Sequence, residues 1–147
     1  MPICIGNFGI NLPHGTPTNV SGFGDTVNRE ADDPFQAAEQ LHSVDLLIID
    51  STICQNWYSG DGLKIQTDQI CAGHEGGGKD SCVGDSGGPL VKSATDPDSG
   101  SYYWYQIGIV SFGFECAKPK EPGIYASVSF HNDWIRSSLK HYDNNFA

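Results

Sequence analysis

At 147 residues the chain is long enough for one domain and short for two. Eighteen glycines, about 12% of the residues against an average near 7%, and a charged share of 18% suit a turn-rich β protein rather than a coiled coil or a disordered chain. The net charge of −10, with Arg29 the single basic residue among the first 63, repels phosphate backbones and excludes a nucleic-acid partner.

Residues 11–19 read as a loop leading into a short strand over Val20–Phe23. Residues 25–36 are acidic and contain Asp32-Asp33-Pro34, which predicts a solvated loop. Gln40–Ile49 alternates and then runs apolar, the pattern of a strand half to fully buried. Ser51 is placed to cap one or two helical turns reaching Trp57. Thr67–Ala72 and Pro89–Lys92 read as short strands on either side of a glycine-rich loop, Gly73–Gly88. Residues 95–101 form a turn, and Tyr102–Phe112 is the clearest strand of the chain. Ser129 then caps an amphipathic helix over about 130–141, where Phe130, Trp134, Ile135 and Leu139 fall at helical spacing and should pack on the β body. Six or more short strands with turns between them predict an all-β fold, a small barrel closed by one helix. The longest apolar run, Leu46–Ile49, is four residues, so no membrane span is expected.

The five cysteines, Cys4, Cys54, Cys71, Cys82 and Cys116, include no C-x-x-C pair, which leaves a zinc knuckle little support. Four of them allow two disulfides in three connectivities, and the fifth is left for a partner outside the chain. Disulfides imply secretion, yet no Lys or Arg precedes Arg29 and Pro, Gly and Asn interrupt the start, so no leader is read there. The expectation is a piece of a longer extracellular protein.

The stretch from Cys71 to Leu90 carries the chemistry. Ser86 lies in Gly84-Asp-Ser-Gly-Gly-Pro89, where flanking glycines let the backbone turn sharply and approach a ligand. The amides of Gly84 and Ser86 can point into one space beside the hydroxyl, the arrangement that stabilises an oxyanion as charge develops on it. Asp85 between them needs a cationic partner if buried.

These residues resemble the trypsin-like (chymotrypsin-fold) serine proteases, specifically their second six-stranded Greek-key β-barrel and C-terminal helix. Pro2-Ile-Cys4, Val20-Ser-Gly-Phe-Gly24, Val110-Ser-Phe-Gly113, Pro122-Gly-Ile-Tyr125 and Asp133-Trp-Ile135 are similar to family segments, so the likeness runs from about Pro2 to His141. It implies a serine endopeptidase acting through an acyl-enzyme, with Ser86 as nucleophile and the Gly84 and Ser86 amides as oxyanion hole. Asp80 then stands at the floor of a pocket for Lys or Arg, Gly113 and Gly123 leave its walls open, and Ser111, Phe112 and Gly113 offer backbone to an extended peptide. The resemblance also implies disulfides Cys54–Cys71 and Cys82–Cys116, an Asp85 salt bridge to a freshly cleaved N-terminus, and a Cys4 link to a light chain or other outside segment. No metal or cofactor is implied.

Nothing in the chain resembles the family's histidine and aspartate motifs, which belong to a first barrel, so the 147 residues are expected to be inactive alone. His14, His42, His74, His131 and His141 read as exposed or locally bonded; His74, twelve residues before Ser86, lacks an implied orienting acid. Glu115 stands where a small residue or glycine often precedes the cysteine, and either narrows the pocket mouth or favours a second basic residue in substrates. The competing reading is a non-catalytic homologue that uses the same surface for binding.

Overall fold

The computed structural model describes residues 3–5, 12–27, 35–95 and 100–145. Pro2, Asn11, residues 28–34 of the acidic loop with Asp32-Asp33-Pro34, and residues 96–99 of the turn over 95–101 lie outside the described residues.

Six antiparallel strands close into a barrel: β1 (Pro17–Gly22), β2 (His42–Ile49), β3 (Gln69–Gly73), β4 (Pro89–Thr95), β5 (Tyr102–Phe112) and β6 (Gly123–Ser127). Their order around the barrel is β1-β2-β3-β6-β5-β4, and β4 returns to pair with β1 through Asn19↔Val91 and Val20↔Leu90. The crossover from β3 to β6 is the Greek-key step. Alternation along the strands sets the interior. Val20, Leu46, Ile48, Ala72, Leu90, Ile107, Val110 and Tyr125 point inward and form one apolar cluster. Full burial of each large aliphatic member is worth about 1.5–3 kcal/mol. The buried Thr18 hydroxyl donates to the Leu46 carbonyl at 3.0 Å, which keeps a polar group in the core satisfied.

Helix α1 (Ser51–Trp57) continues into a 3-10 turn over Tyr58–Asp61. Its cap is Asp50 rather than Ser51: the carboxylate accepts from the amides of Thr52 at 2.8 Å and Ile53 at 3.4 Å. A carboxylate has the longer reach and the charge to hold both donors. Beneath α1 a second cluster gathers Ile49, Cys54, Tyr58, Cys71 and Ile124 around the Cys54–Cys71 disulfide.

Helix α2 (Asn132–Asn145) begins two residues later than the expected 130–141 and runs on past it. Ser129 does not cap it; the Ser127 hydroxyl accepts from the Phe130 amide at 3.3 Å and contacts the Ser129 hydroxyl at 3.1 Å, which spends both serines on the turn before the helix. The expected packing of its apolar stripe is also corrected. Over residues 132–141, Asn132, Ile135 and Ser138, spaced by three, are the half-covered side chains, and the 100° advance per residue puts Trp134 (69% exposed) and Leu139 (51%) off that line. No helix among the described residues is long and apolar enough to cross a membrane.

Candidate active site

Ser86 stands exposed in the loop between β3 and β4, and the loop's course is fixed on both sides. Gly84 (φ +95°) and Gly87 (φ +83°) occupy the left-handed region that side chains resist. The Gly87 amide donates to the Val110 carbonyl at 2.9 Å, and the Val110 amide donates to Gly88 at 2.9 Å, which ties the serine loop to β5. Immediately after Val110 the register of β5 against β6 shifts before Phe112. Such a bulge re-aims the end of a strand, and here it turns Ser111, Phe112 and Gly113 out beside Ser86.

These residues line one cavity of about 280 Å³ that also holds Asp80, Gly84, Glu115 and Gly123. Asp80 is its acid. The carboxylate accepts from the Ser81 amide at 2.8 Å and the Ala117 amide at 3.1 Å. Burial nonetheless pushes its pKa from 3.8 up to about 6, opposed by those two amides and reinforced by the charge of Asp85. A Cβ on Gly123 would lie 2.9 Å from the Asp80 carboxylate, and one on Gly113 would face the Gly123 Cα at 4.0 Å. A side chain at Gly123 therefore meets Asp80, and one at Gly113 enters the cavity that both glycines line. Beside the acid, the Ser81 and Tyr125 hydroxyls meet at 2.9 Å, and burial, with the nearby Asp80 charge, holds the Tyr125 phenol well above its usual range. Tyr58, likewise raised by burial, donates to the Pro122 carbonyl at 2.5 Å and braces the turn before Gly123.

Asp85 turns away from this cavity. Its carboxylate accepts from the Gly24 amide at 2.8 Å and the Cys82 amide at 2.9 Å. It lies on a second cavity of about 380 Å³ lined also by Val20, Gly22, Gly24, His42 and Lys79. A Cβ at Gly24 would come within 2.5 Å of the carboxyl group, and one at Gly22 would overlap it. The two glycines of Val20–Gly24 are thus the room in which Asp85 sits.

Disulfides join Cys54 to Cys71 and Cys82 to Cys116, the second tying the serine loop to the segment beyond Gly113. Cys4 is free and half-buried; its amide donates to the Trp104 carbonyl and its carbonyl accepts from the Gln106 amide, both at 3.0 Å, alongside β5. None of the five histidines lines the cavity of Ser86. His14 accepts from the Asp50 amide at 3.3 Å, His74 contacts the Asp45 carbonyl at 2.9 Å, and His131 lies 3.6 Å from Asp68. Among the described residues, no cluster of three or more His, Cys, Asp or Glu is arranged to hold a metal ion.

Several contacts have no counterpart in the motifs. The Phe35 ring lies against Gly84, 2.6 Å from where a Cβ would stand, so it closes one side of the serine turn. The Phe114 ring packs 5.6 Å from that of Tyr58. Nothing in the sequence marked the approach of Gly22 and Gly24 to Asp85, the Phe35 ring, or the Ser81–Tyr125 pair, 44 residues apart.

The family model described as trypsin matches residues 1–135. The chain is 35% identical over 136 residues to mannan-binding lectin serine protease 1 of Rattus norvegicus, covering 92% of this chain and 18% of the relative. It is 34% identical over 140 residues to testisin of Homo sapiens, with 94% and 42% covered, and 38% identical over 130 residues to trypsin-1 of Salmo salar, with 88% and 46% covered. The chain thus spans less than half the length of each of these relatives.

Proposed function

The chain belongs to the trypsin family of serine proteases, and from that premise we propose that it supplies the nucleophile and the specificity pocket of a secreted endopeptidase that cleaves after Lys or Arg. The observation that carries this reading is Asp80, a poorly solvated carboxylate lining the same cavity as Ser86, with Gly113 and Gly123 lining it too. A lysine ammonium or arginine guanidinium entering between Gly113 and Gly123 meets that carboxylate; the pairing is strong because little water competes.

With the side chain so held, the substrate backbone lies along Ser111–Gly113 as an added strand. The Ser86 oxygen attacks the carbonyl carbon as a general base takes its proton, and the amides of Gly84 and Ser86 receive the oxyanion. The peptide C–N bond then breaks, the base returns the proton to the departing amine, and water hydrolyses the acyl-enzyme by the same route. Because no histidine lines the Ser86 cavity, the base and its orienting acid come from a preceding barrel. The chain without that barrel is inactive. Asp85 binds the ammonium of a newly cleaved N-terminus in the 380 Å³ cavity, and that charge pairing fixes the Gly84 turn. Cys4 links to a light chain or propeptide.

The test uses the intact natural protein with peptide amides that differ only at the cleaved residue. Arg and Lys amides are hydrolysed and Leu and Glu amides are not, and Ser86→Ala abolishes turnover. An intact protein that carries an upstream histidine and aspartate yet hydrolyses none of them overturns the reading in favour of a binding module.

A further inference from the structure

The wall of the Ser86 cavity does not end at Gly113. Phe114, Glu115 and Cys116 line it too, and the Glu115 side chain, 55% exposed, stands at its solvent side. This rim carboxylate is held by its neighbours. Phe114 on one side packs its ring on the buried Tyr58, and Cys116 on the other is bonded to Cys82. Beyond them Ala117 donates its amide to Asp80. The backbone on both sides of Glu115 is thereby anchored, which limits the ordering that a ligand must impose on it. Glu115 already has a cation, Lys118, three residues on and like it partly exposed.

The direction of a bound peptide follows from the barrel. Up to Val110 the outer edge of β5 is taken by β4 and by Gly87 and Gly88. On the endopeptidase reading the peptide pairs with the free stretch Ser111–Gly113, and antiparallel pairing, as in the six strand pairs of the barrel, runs its acyl side from Ser111 toward Gly113 and beyond. In an extended chain alternate side chains share a face, about 6.6–6.8 Å apart. If the cleaved residue sends its side chain down to Asp80, the residue two positions earlier sends its own to the same side, past Gly113 and onto Glu115.

We propose that the Glu115–Lys118 pair is a second specificity element, in which Glu115 takes a basic side chain from the residue two positions before the cleaved bond and Lys118 occupies that carboxylate until such a residue displaces it. This rests on the endopeptidase reading above. The exchange replaces one exposed ion pair by another, so it costs little and discriminates modestly. Lys118 works as an internal competitor that lowers the preference Glu115 alone would give.

The experiment uses the intact protein and three peptide amides ending in Arg, with Lys, Gln or Glu two positions earlier. The readout is the kcat/KM ratio of the Lys to the Gln peptide. We expect a wild-type ratio above one, a ratio near one in Glu115→Gln, and a rise of about two- to fivefold over wild type in Lys118→Met, the span expected of an ion pair in water. Glu121→Gln, in the same loop, controls for the general pull of an acidic surface and should leave the ratio close to wild type. An unchanged ratio in Glu115→Gln, or a lower one in Lys118→Met, overturns the proposal. If no peptide is cleaved, the endopeptidase reading has failed by itself. The same ratios, read as peptide affinities by fluorescence anisotropy, then decide the rim in the same way: loss in Glu115→Gln supports it and indifference refutes it.

Discussion

Protonating Asp80 should weaken any cation that enters the cavity beneath Gly113 and Gly123, and burial sets the pH at which this happens. The carboxyl is lifted to about 6, chiefly by burial. An amidinium pairs with the ionised form, so binding drives the proton off, and affinity falls as pH drops through that value. With a pKa near 6, about 91% of the carboxyl is ionised at about pH 7 and about 9% at about pH 5, a loss of roughly tenfold in affinity. An aspartate at its ordinary pKa would lose less than about a tenth over the same interval. The assay is a titration of the intact protein with benzamidine, whose amidinium stays charged throughout, at constant ionic strength. Asp80→Asn is the companion variant; breaking a buried pair costs about 3–5 kcal/mol, so its affinity should fall by roughly two orders of magnitude or more. Affinity that stays flat from pH 7 to 5 refutes the burial argument, and undiminished affinity in Asp80→Asn refutes the role of the acid.

Other perturbations follow from the same geometry. Gly24→Ala puts a Cβ against the Asp85 carboxyl; overpacking of about 1–3 kcal/mol should lower the melting temperature, and kcat/KM should drop further because the Gly84 turn moves with Asp85. Tyr58→Phe leaves the Pro122 carbonyl without its donor, with an expected loss of about 1–3 kcal/mol in denaturant unfolding. Replacing Cys54 and Cys71 by alanine opens a loop with a sequence separation of 17. Chain-entropy reasoning puts that cost at about 3 kcal/mol, and non-reducing denaturation of the variant should show it.

What the sequence disclosed depended on whether the signal was local. β5 was legible to the residue because Tyr102–Phe112 is a long run of aromatic and β-branched residues bounded by turns. β1 begins three residues before Val20 because Pro17, Thr18 and Asn19 pair with Leu47, Leu46 and Asp45, and a partner strand is not visible in a local pattern. α1 was legible as a helix, but two cap-forming residues stand side by side, and only the direction of the Asp50 carboxylate decides between them. α2 kept its periodicity and lost its packing, since helical spacing reports which residues share a face and not what that face meets. In the site, Ser86, Asp80 and the two wall glycines were carried by motif. The crowding of Gly22 and Gly24 on Asp85, the Phe35 ring on Gly84 and the Ser81–Tyr125 contact belong to the closed barrel, which brings distant segments together.

The central claim, that Ser86 is an activated nucleophile once the chain is part of its intact protein, is tested most directly with a fluorophosphonate. An activated serine oxygen attacks phosphorus and expels fluoride, leaving a stable covalent adduct that mass spectrometry locates by peptide. The account predicts one adduct, on the peptide containing Ser86, slowed by benzamidine and absent in Ser86→Ala. An intact protein with a complete upstream barrel that takes no label, or one that labels equally well after Ser86→Ala, contradicts it.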